Sequence, residues 1–426
     1  MHKKILLLAT LTGTCLYAQG EENQENNATQ EPVTIKTVRG IMGANDLIEH
    51  AVGQLRFGYI TFKEENSPRN NAYALGGHYH FDSKRWNGIE IGLSAYTVLN
   101  LGINQNPLTL NPDFFDDKGR SFIQLSEAYL DGKWGNTELK LGRQTLDTPH
   151  ADSDDIRMMP NYFEAYTLSN SDINALSLSV GFIRKMAGWE NGIDSKRFVD
   201  VGETLGSDNS DGIYYATASY EGIENLSLSL WYYHYSDIAN VWYAEAGYEV
   251  AFSETRSLTL GLQYDSSSDT GASLLGEQDA NTYGISIEYT DETLGFHLLG
   301  AYNRDNGNTG ATGLSLGGGP FFTSMEDQTL DAIGAEGEAW LLAGGYHFEK
   351  LGIAGLDAGI AYGDFESKNR TLYDSHELDL LLEYAVDETL TLTLAYASVS
   401  FDAGRDEENA PLQEYDQFRV IGNYNF

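Results

Sequence analysis

The chain has 426 residues, with 63 acidic side chains against 26 basic ones and a formal charge of −37. So large an acidic excess excludes a nucleic-acid-binding surface, because each phosphate contact calls for a cation. One cysteine, Cys15, excludes a disulfide framework, and no apolar run past the first residues is long enough to be a membrane helix.

In chain order, His2, Lys3 and Lys4 precede the apolar run Ile5 to Leu11, and Ala18 offers a small residue for cleavage. Residues 1–18 therefore read as a secretory signal peptide that carries Cys15 away with it. Residues 19–53 read as an N-terminal periplasmic extension, partly disordered. Gln19 to Pro32 is a Glu/Asn/Gln stretch without apolar period, and Ile41 to Val52 could form a short helix or plug-like extension.

From residue 54 to 426 the hydrophobicity alternates with period two. Leu226, Leu228, Leu230 and Tyr232 interleave with Ser227, Ser229, Trp231 and Tyr233. Leu258, Leu260, Leu262 and Tyr264 interleave with Thr259, Gly261, Gln263 and Asp265, and Leu378 to Tyr384 and Leu390 to Tyr396 repeat the pattern. About eighteen such segments of roughly ten residues match strands crossing a bilayer at a barrel's tilt. The fold class is thus all-β, a transmembrane antiparallel β-barrel with short periplasmic turns and long extracellular loops. Short connections such as Gly135-Asn136, Gly222 to Asn225 and Asp387 to Thr389 alternate with long ones such as Asn100 to Arg120, Asp147 to Asn161 and Asp305 to Gly334. Phe81, Phe252, Tyr289, Phe348 and Tyr384 stand just before short turns, and Tyr264, Tyr302, Tyr362 and Tyr396 near long loops, where two interfacial aromatic girdles are expected. The last segment alternates in the same way and ends on Phe426. By parity Leu260 should face lipid and Gln263 water.

Catalytic chemistry finds no footing. Ser375, His376 and Glu377 are strand neighbours whose side chains alternate between faces and cannot form a relay. His78 and His80 share a face and, with His297 or His347, would be the candidate metal set, but polar residues bathed in lumen water are the favoured reading of them. No cofactor motif occurs, so the reading is a non-enzyme without cofactor or metal.

The informative stretch is "GRQTLDTPHADSDDIRMMPNYFEAYTL", Gly142 to Leu168. It holds Asp147, Asp152, Asp154 and Asp155 beside Arg157, and an apolar knot of Ile156, Met158 and Met159 that favours packing into the barrel mouth over solvent. Asp152, Asp154, Asp155, Arg157 and Arg143 are the candidate pore constriction. By parity Arg56, Lys140, Lys185 and Arg419 face the lumen, as do Glu90, Glu245, Glu249, Asp265, Glu288, Asp357, Asp379 and Glu383, whose majority favours cations.

That stretch, with the strand number and the terminal aromatic, resembles the OprD-type outer-membrane porins, particularly the branch found in epsilon-class proteobacteria. The resemblance implies an eighteen-stranded barrel in the outer membrane of a Gram-negative bacterium, with an inward-folded third loop. It also implies passive uptake of small hydrophilic nutrients, often carboxylates or peptides, guided by lumen arginines. Expected partners are those solutes, outer-membrane lipid and lipopolysaccharide, and the barrel-assembly machinery, which reads a terminal aromatic such as Phe426. Monomer and trimer both stay open. The alternatives are a structural or adhesive barrel binding divalent cations and lipopolysaccharide, and a carboxylate- or peptide-specific channel.

Overall fold

A computed structural model describes residues 48–405 and 409–426. The signal peptide and most of the N-terminal extension lie outside these residues. Eighteen antiparallel strands form the barrel: β1 (Ile48–Glu64), β2 (Asn70–Ser83), β3 (Ile89–Asn100), β4 (Phe122–Trp134), β5 (Thr137–Gln144), β6 (Tyr162–Ile173), β7 (Leu176–Ala187), β8 (Ile213–Ile223) and β9 (Leu226–Tyr235). The second half comprises β10 (Ala239–Ser253), β11 (Arg256–Asp269), β12 (Asp279–Asp291), β13 (Phe296–Asp305), β14 (Gly337–His347), β15 (Leu356–Ser367), β16 (Asp374–Ala385), β17 (Leu390–Ala403) and β18 (Tyr415–Asn425). Each strand pairs with its sequence neighbour, and β18 closes on β1 from Gln54↔Asn425 to Glu64↔Tyr415. The seam continues one residue further, since Phe426 and Gly53 exchange both backbone hydrogen bonds. Closure removes the open edges that lipid could not hydrogen-bond. Among the described residues no helix is long and apolar enough to cross a membrane.

The alternation decides which face each residue takes. Leu260, Leu262, Ile285, Leu342 and Ile360 lie bare on the outer wall, as lipid requires, while Ile60, Tyr96, Asp265 and Glu377 are enclosed on the inner one. Strand β1 already begins at Ile48, so Ile48 to Val52 is strand, not the helix or plug expected there. Loop lengths are also less regular than expected. On the long-loop side L2 (101–121), L3 (145–161), L4 (188–212) and L7 (306–336) are long, but the loops at 65–69, 236–238 and 368–373 are short.

Barrels of this strand number leave a wide lumen unless something enters it. Here L2, L3 and L7 supply apolar side chains that pack on the inner wall. Met158 and Met159 of L3, with Phe114 and Phe115 of L2, bury against Ile60, Ala72, Ala74 and Tyr96 of β1–β3. Phe321, Phe322 and Met325 of L7 bury against Leu341, Ala361 and Phe365. Between them Leu146 and Ala151 of L3 meet Leu314 and Leu316 of L7 over Tyr233 and Tyr235. The wall makes room with glycine: a Cβ on Gly58 would stand 2.3 Å from Met158 Sδ, and one on Gly76 would stand 3.1 Å from its Cε.

Gln263 does face inward, but not into water. Its amide donates to Tyr243 Oη at 2.9 Å and to the Pro320 carbonyl at 2.7 Å, and accepts from Asn303 at 2.7 Å, tying L7 to the wall.

Candidate functional site

L3 and L7 meet inside the barrel. Ala151 and Leu316 form a parallel bridge, with Asp152 N donating to Leu316 O at 3.2 Å and Leu316 N to His150 O at 2.9 Å. The inner end of this junction is anchored where His150 Nε2 reaches Asp265 Oδ2 of β11 at 2.8 Å, both groups fully buried.

Beside the junction lies a cluster of charge. Asp155 of L3 takes a bidentate pair from Arg56 of β1, whose Nη2 is 2.6 Å from Oδ2. The same guanidinium donates through Nη1 to the Arg157 carbonyl at 3.0 Å and through Nε to Asn423 of β18 at 2.7 Å. Arg157 lies over the Trp189 ring of L4 at 4.2 Å and donates to Glu326 of L7 at 3.1 Å. Glu326 is shared: Arg419 of β18 grips its other side, with Nη2 to Oε2 at 3.1 Å. Planar guanidinium forks suit such two-oxygen recognition. Glu377 of β16 then accepts the backbone N–H groups of Asp327 and Gln328 at 2.9 and 2.7 Å, and Asp379 accepts that of Glu326 at 3.3 Å.

Three arginines thus face a larger set of carboxylates: Asp154, Asp155, Glu190, Glu326, Asp327, Glu377 and Asp379. Among the loop groups, removal from water pushes the Glu326 carboxyl up, but Arg419 and Arg157 outweigh it and hold the group well below the ordinary range. Desolvation raises Asp154, with the charges of Glu190 and Glu326 adding to it. It raises Asp327 too, where Glu326 adds, and raises Glu190 against the hydrogen bond from Asn161. Asp152 is pushed up to about 7, first by burial and then by Asp147 and Asp154.

Of the residues singled out from sequence, Arg56, Arg419, Asp154, Asp155, Arg157 and Asp379 converge here. Lys140 faces the lumen elsewhere, with its ammonium 4.0 Å from the centre of the Tyr129 ring, and Glu90 pairs with Arg85 at 3.2 Å near the short-turn end. Glu288 stays on the inner wall of β12, half-buried and away from the cluster.

Two residues fall elsewhere. Lys185 was expected to point inward, but β7 slips past β6 between the pairs Glu164↔Lys185 and Ala165↔Ile183. The extra residue, Arg184, reverses the parity, so Lys185 turns outward and meets Asp200 of L4 at 3.5 Å. Arg143 does not reach the aspartates: it occupies the outward register of β5 opposite Ala128 and Glu164, stacked on Phe198 at 4.2 Å. The histidines do not assemble either. His80 sits between Asp82 and Glu127, each at 3.0 Å, while the His297 and His347 rings on β13 and β14 lie 5.7 Å apart with their planes tilted by 48°. Ser375 and Glu377 point inward and His376 outward, as strand geometry requires.

Sequence reading missed Glu326, Asp327 and Glu190. A signal existed in L7, where Phe321, Phe322 and Met325 follow a glycine-rich run in an otherwise polar loop, the same kind of apolar knot that marked L3.

The model of the family described as outer membrane porin, OprD family, matches residues 89–426. The chain belongs to the OprD family. It is an outer-membrane channel porin, located in the outer membrane of a Gram-negative bacterium. Solved structures with the same fold include Pseudomonas aeruginosa OccK9 (OpdG), with TM-score 0.77 and 22% identity over 89% of this chain and 98% of that one. Acinetobacter baumannii OccAB3 gives 0.76 and 15% over 89% and 99%, and Pseudomonas aeruginosa OpdK, solved with vanillate, 0.71 and 21% over 89% and 99%. No curated protein sequence matches.

Proposed function

We propose that this OprD-family porin passes small hydrophilic solutes and ions by passive diffusion, without covalent chemistry, and that L3 with L7 forms its constriction at the Arg56–Asp155–Arg157–Glu326–Arg419 cluster. The supporting observation is Glu326, a loop carboxylate held between an arginine of the other loop and an arginine of the wall. Charged rings at a narrow point decide which ions pass.

The preference we assign is for cations. Each arginine of the cluster is engaged by a carboxylate, and Asp154, Asp327, Glu377, Asp379 and Glu190 are in excess over them. Burial raises Asp154, Asp327 and Glu190 and keeps part of this excess protonated, and the fraction that ionises leaves negative charge in a low-dielectric mouth, which concentrates cations there. Arg56, Arg157 and Arg419 also stand close enough to act as a carboxylate relay, and OpdK was solved with vanillate, so a carboxylate-specific channel is the second reading. Single-channel recording of the reconstituted barrel under a salt gradient separates the two. A reversal potential of cation sign is expected; an anion sign, or current blocked by an aromatic carboxylate, would overturn it in favour of the second. A barrel that inserts without conducting would refute both. The stretch Gly142 to Leu168 also supports placing the chain in an epsilonproteobacterial-like branch.

A further inference from the structure

The outer wall carries a second cluster, close to the extracellular rim and apart from the lumen. Asp364 of β15 stands opposite His376 of β16 in the ladder, and Asp374 lies at the rimward start of β16. One ring nitrogen of His376 and one carboxylate oxygen of each aspartate lie within 4.8 Å of one another.

Two polar atoms at this spot have no hydrogen-bond partner. Asp374 is 9% exposed, and its Oδ1 is buried and unpartnered. His376 Nδ1 comes within 3.0 Å of Asp364 Oδ2, yet the two are not hydrogen-bonded. Enclosed polar atoms without partners are rare and call for an unseen one. A nitrogen and an oxygen about 3 Å apart without a shared proton are what two ligands at roughly 2.0–2.2 Å from one cation would show.

The other side of the imidazole strengthens the reading. Nε2 is 3.2 Å from Asp402 Oδ2 of β17. A carboxylate holding Nε2–H leaves the Nδ1 lone pair facing the aspartates, the arrangement by which histidine ligands are oriented. The ring also stacks on Tyr362, with centroids 6.2 Å apart and planes at 14°. Glu366 faces the same region, its carboxylate paired with the exposed Arg370. That guanidinium is the competing cation, and its exposure lets it swing aside.

We propose that Asp364, Asp374 and His376 form a divalent-cation site on the outer rim of the barrel, with Asp402 as the positioning residue for His376. One imidazole and two carboxylates suit a borderline ion such as Zn²⁺.

The test is calorimetric titration of Zn²⁺ into the purified, chelator-treated barrel in detergent at neutral pH. One equivalent should bind. His376→Gln and Asp374→Asn should each abolish that equivalent, whereas His297→Gln should leave it. Asp402→Asn, a change at an exposed rim side chain, should weaken binding roughly 10- to 100-fold and remains informative if the other variants fold poorly. Failure of the parent to bind Zn²⁺, or undiminished binding in His376→Gln or Asp402→Asn, would overturn the assignment. Channel selectivity should be the same with and without the ion, which keeps this result separate from the reading of the pore.

Discussion

Replacing Glu326 by glutamine removes the negative charge between Arg157 and Arg419 while keeping the side chain's shape. Both guanidiniums lie at contact distance, with a 3.1 Å approach from each. At an effective dielectric of about 20, a pair with charge centres roughly 4 Å apart gains about 4 kcal/mol, so the two pairs together gain about 8 kcal/mol before desolvation removes several. Removing one partner from a buried pair costs about 3–5 kcal/mol, because the remaining charges stay enclosed. The barrel ladder does not pass through Glu326, so the loss falls on the docked loops. Thermal unfolding of the barrel should change little, while protease sensitivity of L7 should rise. In a planar bilayer, two released guanidiniums should move the reversal potential toward anions and change the single-channel conductance. A variant with the parent's reversal potential and the parent's L7 protection would show that Glu326 neither lines the ion path nor holds the loop.

Asp152 carries a pH signature. Its folded pKa, near 7, lies above the ordinary carboxylate value, so the docked loop binds more protons than the free one. Its contribution to docking is full below about pH 4 and is lost as pH rises through 7. Cation selectivity should therefore climb between pH 5 and 8, and Asp152→Asn should flatten the profile; a parent profile flat over that range would contradict the assignment. Met158→Ala should cost about 2–5 kcal/mol of packing and loosen L3, read as higher or noisier conductance with heat-modifiable mobility intact; unaltered current would mean that L3 lies outside the ion path. Leu260→Arg on the lipid face should destabilise the barrel by about 2–4 kcal/mol in denaturant titrations in lipid. Gln263→Ala should spare the barrel but strand buried partners of L7, at about 1–3 kcal/mol per group; equal barrel stability for the two variants would count against the facing assigned to them.

Period-two alternation carried the fold, because a strand's face depends only on odd or even position, and so the inward placement of Arg56 on β1 and Arg419 on β18 could be read directly. The same logic misplaced Lys185, since one extra residue at Arg184 reverses every side chain beyond it and a bulge leaves no mark in hydrophobicity. The knot of Met158 and Met159 announced that L3 would pack, but not against what: its seat depends on Gly58 and Gly76, far away in sequence. Glu326 was out of reach for a further reason. L7 has no regular period, and its place beside Arg419 follows from loop docking over the wall, in particular the Gln263 and Asn303 bonds to its backbone.

The seam between first and last strands has a consequence for how the porin matures. Arg56 and Arg419 come from opposite ends of the barrel sequence and become neighbours only when β1 pairs with β18. L3 clasps the first through Asp155, and L7 clasps the second through Glu326. A barrel still open at that seam lacks the Arg419 grip on Glu326 and the Asn423 partner of Arg56, however complete its other ladders are. On the proposed reading of the constriction, the pairing that seals the wall against lipid is also the one that would complete the charge cluster inside it.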